Sequence, residues 1–222
     1  MAHTQRPPYH YQEGDHPLPK GLMADILIRA LYHARIEVNF QVMPARRIMI
    51  QTQKEKPFCS FTWFKTESRA QFATFTEPLW TDRPFQVVTH RSHQEQLERF
   101  STFDQLLTES KLVLGTRRNM SYGNQLDKRL NREGNSVEIH KAVNNQVNMA
   151  KMLARRRFDF MLMTPAELPG VFEAAGIPRS KYVALEFPDI PNGEKRRVMC
   201  NKAVEDSLIE RLNQSIRKFS GP

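Results

Sequence analysis

The chain has only two cysteines in 222 residues, Cys59 and Cys200. They form no C-x-x-C pair, no metal cluster and no redox motif. A bridge between them is permitted in an oxidising compartment, but nothing in the sequence demands one. No apolar run approaches the length of a membrane span. Met1 to Arg6 is polar with no apolar stretch behind it, so no signal peptide is read, and an exported form would have lost its leader. The seven histidines are scattered, and His10, His16 and His33 lack metal-ligand spacing, so no metal or cofactor is expected. Internal repeats and low-complexity segments are absent. The turn Gly115 to Ser121 exposes backbone N–H groups that favour anions, but no Gly-Lys-Ser/Thr follows, which excludes a phosphate-binding P-loop. Catalytic machinery is equally scarce. Glu67, Glu77 and Asp159 are the few acid–base candidates, with no paired carboxylates and no Ser-His pattern, so no enzyme is expected.

What is present is enough apolar material, 40% of residues, for a real core in one large or two small domains. Lys and Arg number 33 against 24 Asp and Glu. That balance suits an anionic ligand or a nucleic acid. The positive charges come in short clusters, however, at Arg46-Arg47, Arg117-Arg118, Arg155 to Arg157 and Lys195 to Arg197. They make no continuous basic helix and read as solvated faces, so no nucleic-acid partner is expected.

Periodicity predicts strands alternating with helices. Helices are expected over Gly21 to Ala34, Ala45 to Gln53, Thr102 to Leu107, Tyr122 to Arg132, Asn144 to Arg156, from Thr164 onward, and over Val204 to Phe219 with Leu208, Leu212 and Ile216 on one stripe. Strands are expected at Ile36 to Val42, Phe58 to Phe64, Phe85 to Thr89, Lys111 to Leu114, Val137 to Ile139, Phe158 to Met163, Lys181 to Phe187 and Arg197 to Cys200. Ser121 and Thr102 are candidate N-caps, and Pro165 sits where a first helical position favours proline. The polar stretch His90 to Phe100 reads as an interdomain crossover. This alternation argues an α/β fold with mostly parallel sheets.

One stretch organises the rest. After the Phe58–Phe64 run, Thr66 can cap a short helical turn that ends at Arg69. A guanidinium just past the carboxyl end of a strand lies where open α/β sheets bind ligands. Its planar fork suits a carboxylate or phosphate. Thr66, Arg69, Phe75, Thr76 and Pro78 form the pattern T-x-x-R followed by F-[ST]-x-P. Together with Pro7-Pro8-Tyr9 and Gly21-Leu22-Met23-Ala24-Asp25, it resembles the type 2 periplasmic solute-binding proteins of family 3, the polar amino acid binders of ABC importers. Leu112 to Leu126 and Leu153 to Phe160 resemble that family's second-lobe elements, so the likeness spans nearly the whole chain.

The resemblance implies two lobes with a ligand cleft between them. The first would be residues 1–86 with 190–222, the second the inserted 87–189, closing by hinge motion. It implies an extracytoplasmic, periplasmic monomer that captures a small anionic or zwitterionic solute and delivers it to a membrane permease. Arg69 takes the place of the arginine that holds the ligand carboxylate, and Thr66 the cap before it. Tyr9 lines the cleft. Phe64 stands where amino acid binders usually have Ser or Thr, and with Trp63 suggests a flatter or more apolar wall. Thr116 or Ser121 helps hold the carboxylate from the second lobe. Asp159 matches a structural aspartate, and five positions on, where these binders carry the aspartate that pairs with the ligand ammonium, this chain has Thr164. A hydroxyl cannot neutralise a buried cation, which argues against a standard α-amino acid. A ligand-sensing module that signals to a partner remains the alternative, with an enzyme on the same fold behind it.

Overall fold

The computed structural model describes residues 1–118, 120–142 and 145–219. The chain divides into two compact units, Met1–Asp82 with Glu194–Pro222, and Arg83–Gly193. It passes between them at Asp82–Arg83 and Gly193–Glu194. The polar stretch from His90 is no crossover: it folds within the second unit.

The first unit runs β1 (Ala2–His3), α1 (Leu22–His33), β2 (Gln41–Val42), α2 (Ala45–Gln51), β3 (Cys59–Phe64), α3 (Glu67–Ala70), β4 (Ala73–Phe75) and β5 (Trp80–Thr81). The second unit contributes β6 (Gln86–His90), a 3-10 turn at Arg91–His93, α4 (Gln94–Glu98), α5 (Phe103–Glu109), β7 (Val113–Arg117), α6 (Asn124–Leu130), β8 (Glu138–Ala142), α7 (Gln146–Ala154), β9 (Phe160–Met163), α8 (Leu168–Ala174), a 3-10 turn at Arg179–Lys181 and β10 (Tyr182–Leu185). The chain then returns to the first unit as β11 (Lys195–Asn201) and α9 (Asp206–Phe219). Asn144, expected to begin α7, lies outside the described residues; Asn145 caps that helix, its side chain accepting from the Asn148 N–H.

Both sheets are mixed rather than mostly parallel. The first is ordered β2-β1-β3-β11-β4, with β5 also on β11. Its β1 pairs are parallel, but the returning β11 runs antiparallel to β3, β4 and β5. The second is ordered β10-β6-β9-β7-β8, with β7 parallel to β8 and β9, and β6 antiparallel to β9 and β10. Parallel neighbours follow from βα crossovers, and the antiparallel strands are those beside the passages between units.

Alternation along β11 builds the first core. Val198 and Cys200 pack with Phe61, Leu27, Leu31, Leu212 and Ile216 against α1 and α9, while Met199 faces Ala2, Met43, Ile48 and Ala73 on the other side. On α9 the buried stripe is Ile209, Leu212 and Ile216, with Leu208 at its margin. The Pro7-Pro8-Tyr9 and Gly21-Leu22 segments are joined directly: the Pro8 and Tyr9 carbonyls accept from the Leu22 and Met23 N–H groups, satisfying the first donors of α1. Gly21 is required there. Its φ is 115°, and a Cβ would lie 2.5 Å from the Pro8 carbonyl oxygen.

Ile36 to Phe40 forms no strand, although Ile36, Val38 and Phe40 still pack on the α1–α9 core. The neighbouring β1 is only two residues long and offers pairing to Gln41 and Val42 alone. In the second unit, α8 starts at Leu168 rather than Thr164; 164–167 is a turn closed by the Glu167 N–H on the Thr164 carbonyl. Ser121 does not cap α6, whose N-cap is Gly123 at φ 98°. Cys59 and Cys200, facing each other across β3 and β11, form a disulfide.

Candidate functional site

Arg69 is positioned by three successive devices. The strand β3 ends at Phe64, and Thr66 turns the chain by accepting the Arg69 N–H on its hydroxyl at 3.3 Å. The half-buried Arg69 side chain then folds back over the strand. Its Nη1 donates to the Phe64 carbonyl at 2.9 Å, and its guanidinium carbon lies 5.1 Å from the Trp63 ring centroid. A guanidinium so placed stacks on the indole while one edge is hydrogen-bonded. Trp63 is itself fixed, its indole N–H donating to the Ser60 hydroxyl at 2.7 Å.

Behind this surface lies a second arginine. Arg196 is buried, with Nε donating to Asp82 at 2.7 Å, Nη2 2.6 Å from the same carboxylate oxygen, and Nη1 donating to the Thr62 carbonyl at 3.1 Å. Its guanidinium carbon lies 4.2 Å from the Phe64 ring centroid and 5.6 Å from that of Tyr9. Tyr9 and Phe64 are therefore packed rings, 1% and 3% exposed. What Phe64 offers outward is its carbonyl, already used by Arg69. Tyr9, Trp63, Phe64, Thr66 and Arg69 thus belong to one contact chain in the first unit, joined through Arg196.

The second unit holds the remaining predicted residues at the carboxyl end of its parallel strands. The pairing of Gly115 with Met161 sets β7 beside β9. Thr116 follows on β7, buried, its hydroxyl accepting from the Tyr122 hydroxyl at 2.9 Å. Ser121 donates to Asp127 at 2.5 Å and accepts from the Gly123 N–H, so it orders the start of α6. Thr164, one residue past β9, is fully buried and donates to Glu167 at 2.8 Å. Gln146, the first residue of α7, reaches the other oxygen of Glu167 at 3.5 Å. Asp159 accepts the Val113 N–H and ties β7 to the start of β9, a structural role. Among the described residues no group of His, Cys, Asp and Glu is arranged to hold a metal ion, and no helix is long and apolar enough to cross a membrane.

No protein-family model matches the chain, and no curated protein matches it in sequence. Solved structures do. An arginine third-transport-system periplasmic binding protein from Legionella pneumophila is 18% identical, with 98% of this chain aligned to 91% of that one at a TM-score of 0.69. The arginine-binding protein of T. maritima is 14% identical, with 100% and 90% covered at a TM-score of 0.72. A structure described with glutathione import via GshT and the cystine ABC importer TcyBC of Streptococcus mutans is 11% identical, with 98% and 87% covered at a TM-score of 0.73. The chain has the fold of the amino acid ABC transporter solute-binding proteins.

Within this solute-binding fold, sequence reasoning missed Asp82, Arg196, Glu167 and the role of Thr62. Arg196 was passed over inside the basic run Lys195 to Arg197, yet period two along β11 puts it in step with Val198 and Cys200. Glu167 lies three residues past Thr164, and the turn that brings its carboxylate back onto the Thr164 hydroxyl replaces the helix start expected there.

Proposed function

We propose that the protein is an extracytoplasmic solute-binding protein that captures a small carboxylate-bearing solute for an ABC importer. Arg69 pairs with the acidic group of that solute, and the two units close on it by hinge motion without chemistry. The observation that carries this reading is the Arg69 fork, steadied by the Trp63 ring and the Phe64 carbonyl at the end of β3. The fold adds support, since similar structures are described as an ancestral arginine-binding protein bound to arginine and to glutamine.

A thermal-shift screen of L-arginine, L-glutamine, glutathione and small dicarboxylates tests the reading, because a ligand specific to the folded state raises stability as RT ln(1 + [L]/Kd). Saturable stabilisation by at least one carboxylate, confirmed by calorimetry, is the expected result. Stabilisation by uncharged sugars alone, or turnover of any hit, would overturn it.

A further inference from the structure

The strand that carries the proposed ligand wall contains a strained residue. Thr62 has φ 71° in the middle of β3, a conformation costly for a β-branched side chain. The pairing with β11 shows its consequence: Arg197 lies opposite Trp63 and Val198 opposite Phe61, so Thr62 is the extra residue of a β-bulge. A bulge shifts the alternation of side chains by one position, which sends everything beyond it to the other face. In an unbroken strand Phe61 and Trp63 would share a face. Here Phe61 packs with the α1–α9 core and Trp63 with the opposite cluster around Met199 and Ile48. That side also presents the Ser60 hydroxyl to the Trp63 indole and the Trp63 ring to Arg69.

The bulge in turn is held by Arg196. A bulge residue loses its place in the ladder and needs another hydrogen-bond partner for its backbone. Arg196 Nη1 donates to the Thr62 carbonyl, while Asp82 fixes the other edge of the guanidinium and the Phe64 ring lies 4.2 Å from its carbon. One buried planar group therefore touches the residue before Trp63 and the residue after it.

We infer that Arg196 is a positioning residue. It stabilises the Thr62 bulge, the bulge turns Trp63 onto the Arg69 side, and Trp63 sets the direction of the Arg69 fork. The consequence for a ligand rests on the solute-binding reading of Arg69; the device itself does not.

The experiment uses the full, oxidised chain. The indole N–H resonances of the two tryptophans are recorded by 15N–1H correlation and assigned with Trp80→Phe. In Arg196→Ala the Trp63 indole resonance moves away from its wild-type position, and Arg69→Ala in that background moves it little further. In Arg196→Lys, which keeps a charge for Asp82 but offers no planar group to Phe64, the shift is intermediate. Thr62→Gly added to Arg196→Ala brings the resonance back toward wild type, since glycine takes a positive φ without support. A role in stability alone would lower the melting temperature and leave the resonance in place, and that result overturns the inference. If Arg196→Ala does not fold, Arg196→Lys decides in the same way. L-arginine titration supplies the separate binding arm, with about tenfold weaker affinity expected in Arg196→Ala, about 1.4 kcal/mol. If wild type ignores L-arginine, that choice of ligand fails, and the resonance still decides the positioning role.

Discussion

Replacing Arg69 by alanine separates a ligand arm from a surface arginine. The Arg69 side chain donates to the Phe64 carbonyl and stacks on the Trp63 ring. Losing a hydrogen bond of this kind from a half-buried group costs folding about 1 kcal/mol, so the variant should fold. Losing a charge-assisted pair with a ligand carboxylate costs roughly 1.5–3 kcal/mol. Since about 1.4 kcal/mol is tenfold, affinity should drop by about one to two orders of magnitude. Arg69→Lys should recover only part of the loss, because an ammonium can neither fork to a carboxylate nor stack flat on the indole. The assay is calorimetry with the strongest ligand of the thermal-shift screen, run beside a urea melt of each variant. Equal affinity in wild type and Arg69→Ala, with both folded, would refute the placement of the ligand carboxylate at Arg69.

Three further perturbations read the frame around that site. The Cys59–Cys200 bridge closes a separation of 141 positions, which on the chain-entropy model is worth about 5 kcal/mol; a Cys59→Ala/Cys200→Ala protein should unfold at markedly lower urea, and an unchanged midpoint would contradict this. Asp82→Ala leaves the Arg196 charge buried without its carboxylate, so urea melts should show a loss of about 3–5 kcal/mol. Burial lowers the pKa of His3, more than its hydrogen bond to the Thr4 carbonyl raises it. The folded state therefore resists protonation that the unfolded chain accepts. The stability His3 contributes is complete above its ordinary value near 6.5 and declines as the pH falls through the lower folded value. His3→Phe should flatten the acid limb of the stability–pH curve, and a curve parallel to wild type would exclude His3 as its source.

The residues that were legible in the sequence act through neighbours a few positions away. Thr66 and Thr102 cap the turns that follow them because a hydroxyl reaches a backbone N–H three residues on. The apolar run Phe58 to Phe64 marks a true strand, Cys59–Phe64, and the motif around Arg69 points to its carboxyl end. What stayed hidden depends on partners distant in sequence. The Thr62 bulge is a property of two strands in register, and only the return of β11 more than a hundred positions later creates it. Arg196 reads as surface charge until Asp82 is set beside it. Ile36 to Phe40 shows the opposite error, an apolar face with the period of a strand but too short a neighbour to pair with.

The disulfide between β3 and β11 also decides how the molecule meets mechanical force. The chain between Cys59 and Cys200 is a covalent ring, and the whole second unit lies inside it. Tension applied to the two ends passes directly from one cysteine to the other. Their separation of 141 positions, about 500 Å of chain at roughly 3.6 Å per residue, is withheld from extension. The second unit is thereby shielded from a pull on the termini, and a single backbone cut within the ring leaves the protein in one covalent piece.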